Sequence, residues 1–246
     1  MASLLIIFIC IIFLVALGGV YVYAWSIPGL QLFGTAILRG AADRNRISLT
    51  FDDGPSPGST ERILDILGSY GVKATFFVCG RNVERYPELL RRIRAEGHGI
   101  GNHSDSHRFP YFRSASFFAR EIDRAQDVIE KVAGVRPEFF RPPFGARWIG
   151  LAPVLKERGL RLVNWSDTGY DWKLDAEGIV RETLKTLGAG SIILLHDGCG
   201  ASPSGKVDRS RTVKALPAII EGARKAGFSF VSLEELLPRS GENHRT

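Results

Sequence analysis

From Ile47 onward the apolar positions alternate between two rhythms: short runs of β-branched and aromatic residues, and longer stretches with helical spacing. The runs predict strands at 47–51, 74–79, 99–101, 138–140, 161–164, 191–195 and 228–231. Between them, end signals bound the helices. Ser59 or Thr60 opens one that Gly71 closes, Pro87 opens one that Gly97 closes, and Ser114 opens one that Gly134 closes. Within the last, Phe118, Ile122, Ala125, Ile129 and Val132 recur at helical spacing. Two more helices are predicted at 175–187 and 212–226, the second interrupted by Pro217. Strands alternating with helices imply an α/β fold on a parallel sheet, either closed into a distorted barrel or doubly wound. No repeat or low-complexity tract divides 47–237, so one globular domain is expected there, with 26–46 as a juxtamembrane linker and 238–246 as a C-terminal tail.

The N-terminus follows a third pattern. Leu4 to Trp25 carries no charge, and the first charged side chain of the sequence is Arg39. Twenty-two helical residues span ~33 Å at ~1.5 Å each, enough for a hydrocarbon core of ~30 Å. Tyr21, Tyr23 and Trp25 cluster at its far end, where an aromatic belt would sit. Residues 1–25 are therefore expected to be a single-pass transmembrane anchor. The rival is a cleaved signal peptide ending near Ala24, with a secreted product, but no basic region precedes the apolar run. Arg39, Arg44 and Arg46 follow the segment, and the positive-inside rule taken literally would put the domain in the cytoplasm. They lie near the limit of that rule's range, and a catalytic domain outside the cytoplasm is the expectation.

Composition narrows the picture only slightly. The 246 residues, 45% of them apolar, can bury a full core. A net charge of +6 is spread through helices without an aromatic-interleaved basic patch, so a solvated basic surface is expected rather than a nucleic-acid site. Three cysteines make no disulfide framework. Cys199 follows His196 by three residues, but nothing nearby in sequence would activate the thiol.

Candidate chemistry gathers where strands end. Asp52 and Asp53 follow the first strand, His103 the third, Arg141 the fourth, Asp167 the fifth and His196 the sixth; catalytic groups collect at such ends in α/β barrels. Adjacent carboxylates on a strand end point in opposite directions, so one can bind a metal while the other stays free as a base. In His103-Ser-Asp-Ser-His107 the imidazoles share one side if the segment is helical, and an acidic pair with two histidines suits a divalent first-row metal. Asp105, between them, is a further candidate ligand or acceptor. Arg141, before a rigid Pro-Pro corner, is suited to orienting a carboxylate.

Taken in order, Thr50-Phe-Asp-Asp-Gly-Pro55, His103-Ser-Asp-Ser-His107, Phe139-Phe-Arg-Pro-Pro-Phe-Gly145, Asn164-Trp-Ser-Asp-Thr-Gly-Tyr-Asp-Trp172 and Leu194-Leu-His-Asp197 resemble the five motifs of the NodB-homology polysaccharide deacetylases, carbohydrate esterase family 4. The resemblance covers about 47–237. It implies a distorted (β/α)7 barrel, with Asp53, His103 and His107 holding a divalent metal, zinc or else cobalt. It further implies Asp52 as base, His196 as acid, Arg141 orienting the base and Asp171 tuning the acid. Phe144 would stabilise the oxyanion through its backbone N–H, and Trp172 and Leu194 would wall the acetyl pocket. Asp167 falls one place away from the aspartate of a common form of the fourth motif. The implied reaction removes N-acetyl groups from amino sugars of a cell-wall or surface polysaccharide. The alternatives are deformylation or deacetylation of a lipid-linked sugar, a catalytically silent carbohydrate-binding protein on the same fold, and an iron oxygenase, whose two-histidine, one-carboxylate triad has the same donors.

Overall fold

A computed structural model of the chain describes residues 6–13, 15–16, 18–19, 34–42, 44–109, 113–148, 150–201 and 208–238. The strands are β1 (Arg46–Asp52), β2 (Ala74–Val78), β3 (Gly99–Asn102), β4 (Phe139–Phe140), β5 (Arg161–Leu162), β6 (Asp167–Thr168), β7 (Ile192–His196) and β8 (Ser229–Phe230). They pair in parallel in the order β5-β4-β3-β2-β1-β7-β6, forming one curled sheet. β8 pairs with the start of β1, at Arg46 and Ile47, below the point where β2 joins at Leu49.

Helices end where their chemistry says they should. α1 (Ser59–Tyr70) stops at Gly71, whose φ of 59° is left-handed. After the short α2 (Gly80–Arg85), α3 (Pro87–Ala95) begins on a proline that has no N–H to leave unsatisfied. α4 (Ala115–Ala133) is capped by Ser114 Oγ, which accepts from the Phe117 N–H at 3.2 Å. α5 (Leu151–Glu157) is followed by α6 (Ala176–Lys185), capped by Asp175. α7 (Ser210–Lys225) runs through Pro217 unbroken, so the expected interruption does not occur. α8 (Leu233–Leu236) is a single turn.

Strand alternation sorts the core. Leu49 and Phe51 of β1 join a cluster with Ile63, Leu64 and Leu67 of α1 and Ile219 and Ile220 of α7. The intervening Ser48, Thr50 and Asp52 take the opposite face, toward the barrel interior. There Phe77, Phe139, Val163 and Ile192 fill the base, closed from below by Leu233 and Leu236 of α8.

Three features depart from the expectations. Asp167–Thr168 forms an additional strand, pairing with Ile193 and Leu194 of β7. Part of the stretch expected as linker lies on the barrel instead. Ile37 bridges Val163 beside β5, and Arg39 bridges Ser191 before β7, so this segment spans the open side of the sheet and satisfies backbone groups that would otherwise face solvent. At the N-terminus, residues 6–13, 15–16 and 18–19 are helical, but no helix among the described residues is long and apolar enough to cross a membrane. The transmembrane helix is thus unsupported by the fold, and the aromatic belt, the cleavage site and all but the first residue of the C-terminal tail lie outside the described residues.

Candidate active site

Asp52 ends β1 on the inward face. Asp53 follows with φ of 79°, a left-handed conformation that costs an ordinary residue ~1–2 kcal/mol. A sharp backbone turn, rather than the extended strand end expected, therefore separates the two carboxylates. The turn is clamped by its neighbours. Asn82 Nδ2 donates to Asp53 O at 2.8 Å, and the Asp197 N–H donates to Asp52 O at 3.1 Å. A Cβ on residue 198 would sit 2.3 Å from Asp53 O, which only glycine avoids.

The histidine segment is not helical either. Ser104 and His107 have φ of 65° and 51°. Asn102 Oδ1 accepts from the Ser104 N–H at 2.8 Å, and Ser104 Oγ accepts from the His107 N–H at 3.1 Å. This irregular loop, not a helical turn, brings the two imidazole centroids within 5.0 Å. Asp53 Oδ1 lies 3.4 Å from His103 Nε2 and 3.0 Å from His107 Nε2. One ligand atom from each of the three residues lies within 4.8 Å of the others.

The donor set fits a divalent cation. Arg141 O, which can only accept, sits 2.7 Å from His103 Nδ1, so that nitrogen carries the proton and Nε2 keeps its lone pair toward the cluster. Asp53 Oδ1 is buried with no hydrogen-bond partner. Burial opposes ionisation of Asp53, but the two imidazoles and His196 outweigh it and hold the carboxyl well below its usual range.

Two further pairs complete the site. Arg141 is wholly buried over the Phe77 ring, 4.0 Å from its centroid, and its Nη1 donates to Asp52 Oδ1 at 2.7 Å and Thr50 Oγ1 at 2.8 Å. His196 Nδ1 lies 2.7 Å from Asp171 Oδ1, while Asp171 Oδ2 accepts from the His196 backbone N–H and the Thr212 hydroxyl. Burial works against the His196 imidazolium, yet Asp171, with Asp53 and Asp52 beyond, raises its pKa above the ordinary value. Burial opposes ionisation of Asp171, but His196, Arg209 and the Thr212 hydroxyl together outweigh it and shift the carboxyl down.

A cavity of about 410 Å³ unites these groups, lined by Asp52, Asp53, His103, His107, Phe144, Trp172, Leu194 and His196. Arg141 and Asp171 stand behind it, each bound to the residue it was expected to orient or tune. Asp105 is not in the cluster: it pairs with Arg81 at 3.2 Å and Arg124 at 3.3 Å. Asp167 is held by Arg39 and Ser166 away from the lining. The lining also includes Gly145, Trp165 and Arg209, which the sequence analysis left unassigned. Arg209 sits in no motif, yet its Nη2 is 3.8 Å from Asp53 Oδ2 and its Nε donates to Gly198 O at 2.7 Å. Asn82 and Thr212 are equally silent in sequence, and Asp197, though it closes the fifth motif, carried no assigned role. Asp197 is fully buried against Gly54, and burial pushes its carboxyl up to about 7 against the Thr60 hydroxyl that donates to it.

A parallel α/β sheet curled into a partial barrel, with its polar groups gathered at the carboxyl ends of the strands, has the architecture in which barrel enzymes collect their catalytic groups. The chain belongs to the polysaccharide deacetylase family, hydrolases of carbon–nitrogen bonds in non-peptide amides, whose family model matches residues 39–163. It is 38% identical over 194 residues to a peptidoglycan-N-acetylglucosamine deacetylase of Bacillus cereus, covering 78% of this chain and 87% of that one. To a chitooligosaccharide deacetylase of Rhizobium leguminosarum bv. trifolii it is 38% identical over 202 residues, 80% of this chain and 93% of that one. A solved structure of a peptidoglycan N-acetylglucosamine deacetylase superposes with a TM-score of 0.77 at 33% identity, covering 85% of this chain and 95% of that one. A CE4 family pseudoenzyme from Bacillus anthracis superposes with a TM-score of 0.73 at 24% identity, covering 82% of this chain and 69% of that one, a likeness of fold alone.

Proposed function

We propose that this chain removes N-acetyl groups from amino sugars of a cell-wall or surface polysaccharide, releasing acetate and leaving a free amine. One observation carries the reading: Asp52 and His196, each bound to its own charged partner, face the same cavity as the Asp53–His103–His107 cluster. Those three residues would hold a divalent ion, zinc or else cobalt, which supplies Lewis acidity to the acyl carbonyl and makes water more acidic.

The side chains do the rest. Asp52, with Oδ1 committed to Arg141, uses its other oxygen to take a proton from the attacking water. As the carbonyl becomes tetrahedral, the Phe144 backbone N–H stabilises its oxygen. His196 donates Nδ1–H to Asp171, so its transferable proton sits on Nε2 and passes to the leaving nitrogen, which cannot depart as an amide anion. Trp172 and Leu194 wall the acyl group. A fold shared with a pseudoenzyme does not guarantee activity, and the intact base and acid pairs favour the enzyme over a silent binding protein.

The uncharged N-terminal segment supports a further part of the reading, that the enzyme works from the membrane with its catalytic domain outside the cytoplasm. The decisive experiment incubates metal-loaded and chelated protein with N-acetylglucosamine polymers and assays acetate. Acetate released only by the loaded protein is expected. A metal-loaded protein inert on every N-acetylated polymer, or one releasing formate instead, would overturn the proposal. External protease reaching the domain in intact cells would support the location, and full protection would reject it.

A further inference from the structure

Arg209 is the one arginine or lysine among the described residues that line the catalytic cavity, and no step of the proposed reaction uses it. It is buried and stands immediately before α7, where its backbone carbonyl accepts from the Val213 N–H at 3.0 Å, so the first turn of the helix fixes its place. The guanidinium is anchored at one nitrogen, with Nε donating to Gly198 O at 2.7 Å. Its far end points at Asp53, where Nη2 lies 3.8 Å from Oδ2. That contact is an ion pair rather than a hydrogen bond, and in a buried cavity salt screens it little. The same turn of helix carries Thr212, whose hydroxyl donates to Asp171 Oδ2 at 2.7 Å.

Asp53 divides its two oxygens. Oδ1 faces the imidazoles, 3.4 Å from His103 Nε2 and 3.0 Å from His107 Nε2, whereas Oδ2 faces Arg209. The division matters because a carboxylate can give a cation one oxygen or both. With both, Asp53 and two imidazoles supply four donor atoms and complete a tetrahedral set, as in a structural site. With one, they supply three and leave room for water and the acyl oxygen, as catalysis requires. An arginine held against Oδ2 favours the second arrangement in two ways: it engages that oxygen, and its charge opposes a divalent ion on that side.

We infer that Arg209 is a positioning residue that keeps Asp53 a one-oxygen ligand, lowering metal affinity while holding the site open for the reaction. The inference rests on the proposed metal-dependent reading and extends it to a residue outside the five motifs. A merely structural role has the opposite consequence. Gly198 packs on the Asp53 backbone, so an arginine that only braced Gly198 would, when lost, loosen Asp53 and weaken metal binding. The sign of the change in affinity therefore separates the two.

Zinc affinity of the full chain is to be measured by chelator competition, without substrate, for wild type, Arg209→Gln and Arg209→Lys. Glutamine can still donate to Gly198 O but carries no charge; lysine keeps the charge. Thermal melts of the metal-free proteins confirm that each is folded, and Arg209→Met repeats the neutral arm if the glutamine variant does not fold. Arg209→Gln should bind zinc more tightly by a factor of about five or more, with one more oxygen around the ion in X-ray absorption spectra. Its kcat for acetate release should fall by about tenfold or more, because the position that water needs is taken. Arg209→Lys should stay within about twofold of wild-type affinity and keep its coordination number. Weaker or unchanged zinc binding by the neutral variant, an unchanged coordination number, or equal shifts in the neutral and lysine variants would each overturn the inference while leaving deacetylation standing. A wild type that binds zinc but releases no acetate from any polymer would instead remove the deacetylase reading, and the affinity comparison would still decide what Arg209 does to Asp53.

Discussion

Replacing Arg141 with methionine keeps most of the side-chain volume and deletes the charge. In the native protein the guanidinium is wholly buried and makes four hydrogen bonds: to Asp52 Oδ1, to Thr50 Oγ1, to Val163 O at 3.2 Å and to Asn164 O at 3.0 Å. The variant strands Asp52, only 3% exposed, as an unpaired carboxylate. Breaking a buried ion pair from one side costs ~3–5 kcal/mol, because the remaining charge keeps its desolvation penalty. At ~2–4 °C per kcal/mol for a domain of this size, Tm should fall by roughly 6–20 °C. The assay is urea unfolding of wild type, Arg141→Met, Asp52→Asn and the double variant. Since Asp52→Asn removes the stranded charge, the double variant should be more stable than the two losses predict, with a coupling of ~1–3 kcal/mol. A loss below ~1 kcal/mol in Arg141→Met, or strict additivity, would refute the reasoning.

Other consequences are equally concrete. Asp171→Asn removes the charge that holds the His196 pKa above its ordinary value against burial, so the basic limb of the kcat/KM profile should move to lower pH; a limb that stays in place would count against His196 as the acid. His98 is buried, with Nδ1 accepting the Ala74 N–H at 3.2 Å, and burial, with Lys73 nearby, lowers its pKa from 6.5 to about 4. The unfolded chain therefore takes up this proton first as pH falls. Stability should drop by ~3 kcal/mol between pH 6.5 and 4, and His98→Gln should flatten that slope in denaturant titrations. Metal that binds only the native state stabilises by ~4 kcal/mol at a thousandfold excess over Kd. Chelation should accordingly lower the Tm of the wild type, and His107→Ala should show no response to added zinc.

Much of this site could be read in the sequence because its groups sit at strand ends, and strand ends are marked by where apolar runs stop. Asp52, His103, Arg141 and His196 each follow such a run. What could not be read was how the backbone turns next. The Asp53 turn depends on Asn82 and Gly198, and the histidine loop on the Asn102 side chain, contacts made by residues that carry no periodic signal. β6 is two residues long and precedes a glycine, so it offers no run to detect. The segment around Ile37 looked like linker because its partners, Val163 and Ser191, lie over 120 positions away. Arg209 is one arginine among many until the fold brings it to Asp53.

The central claim is a division of labour between adjacent carboxylates, Asp53 for the metal and Asp52 for the proton. Asp52→Asn, assayed in parallel for bound metal and for acetate release from an N-acetylglucosamine polymer, tests it most directly. The account predicts wild-type metal content with turnover reduced by ~10²–10⁴-fold, the contribution expected of a general base. A variant that keeps near-normal kcat, or one that loses its metal along with its activity, would contradict it.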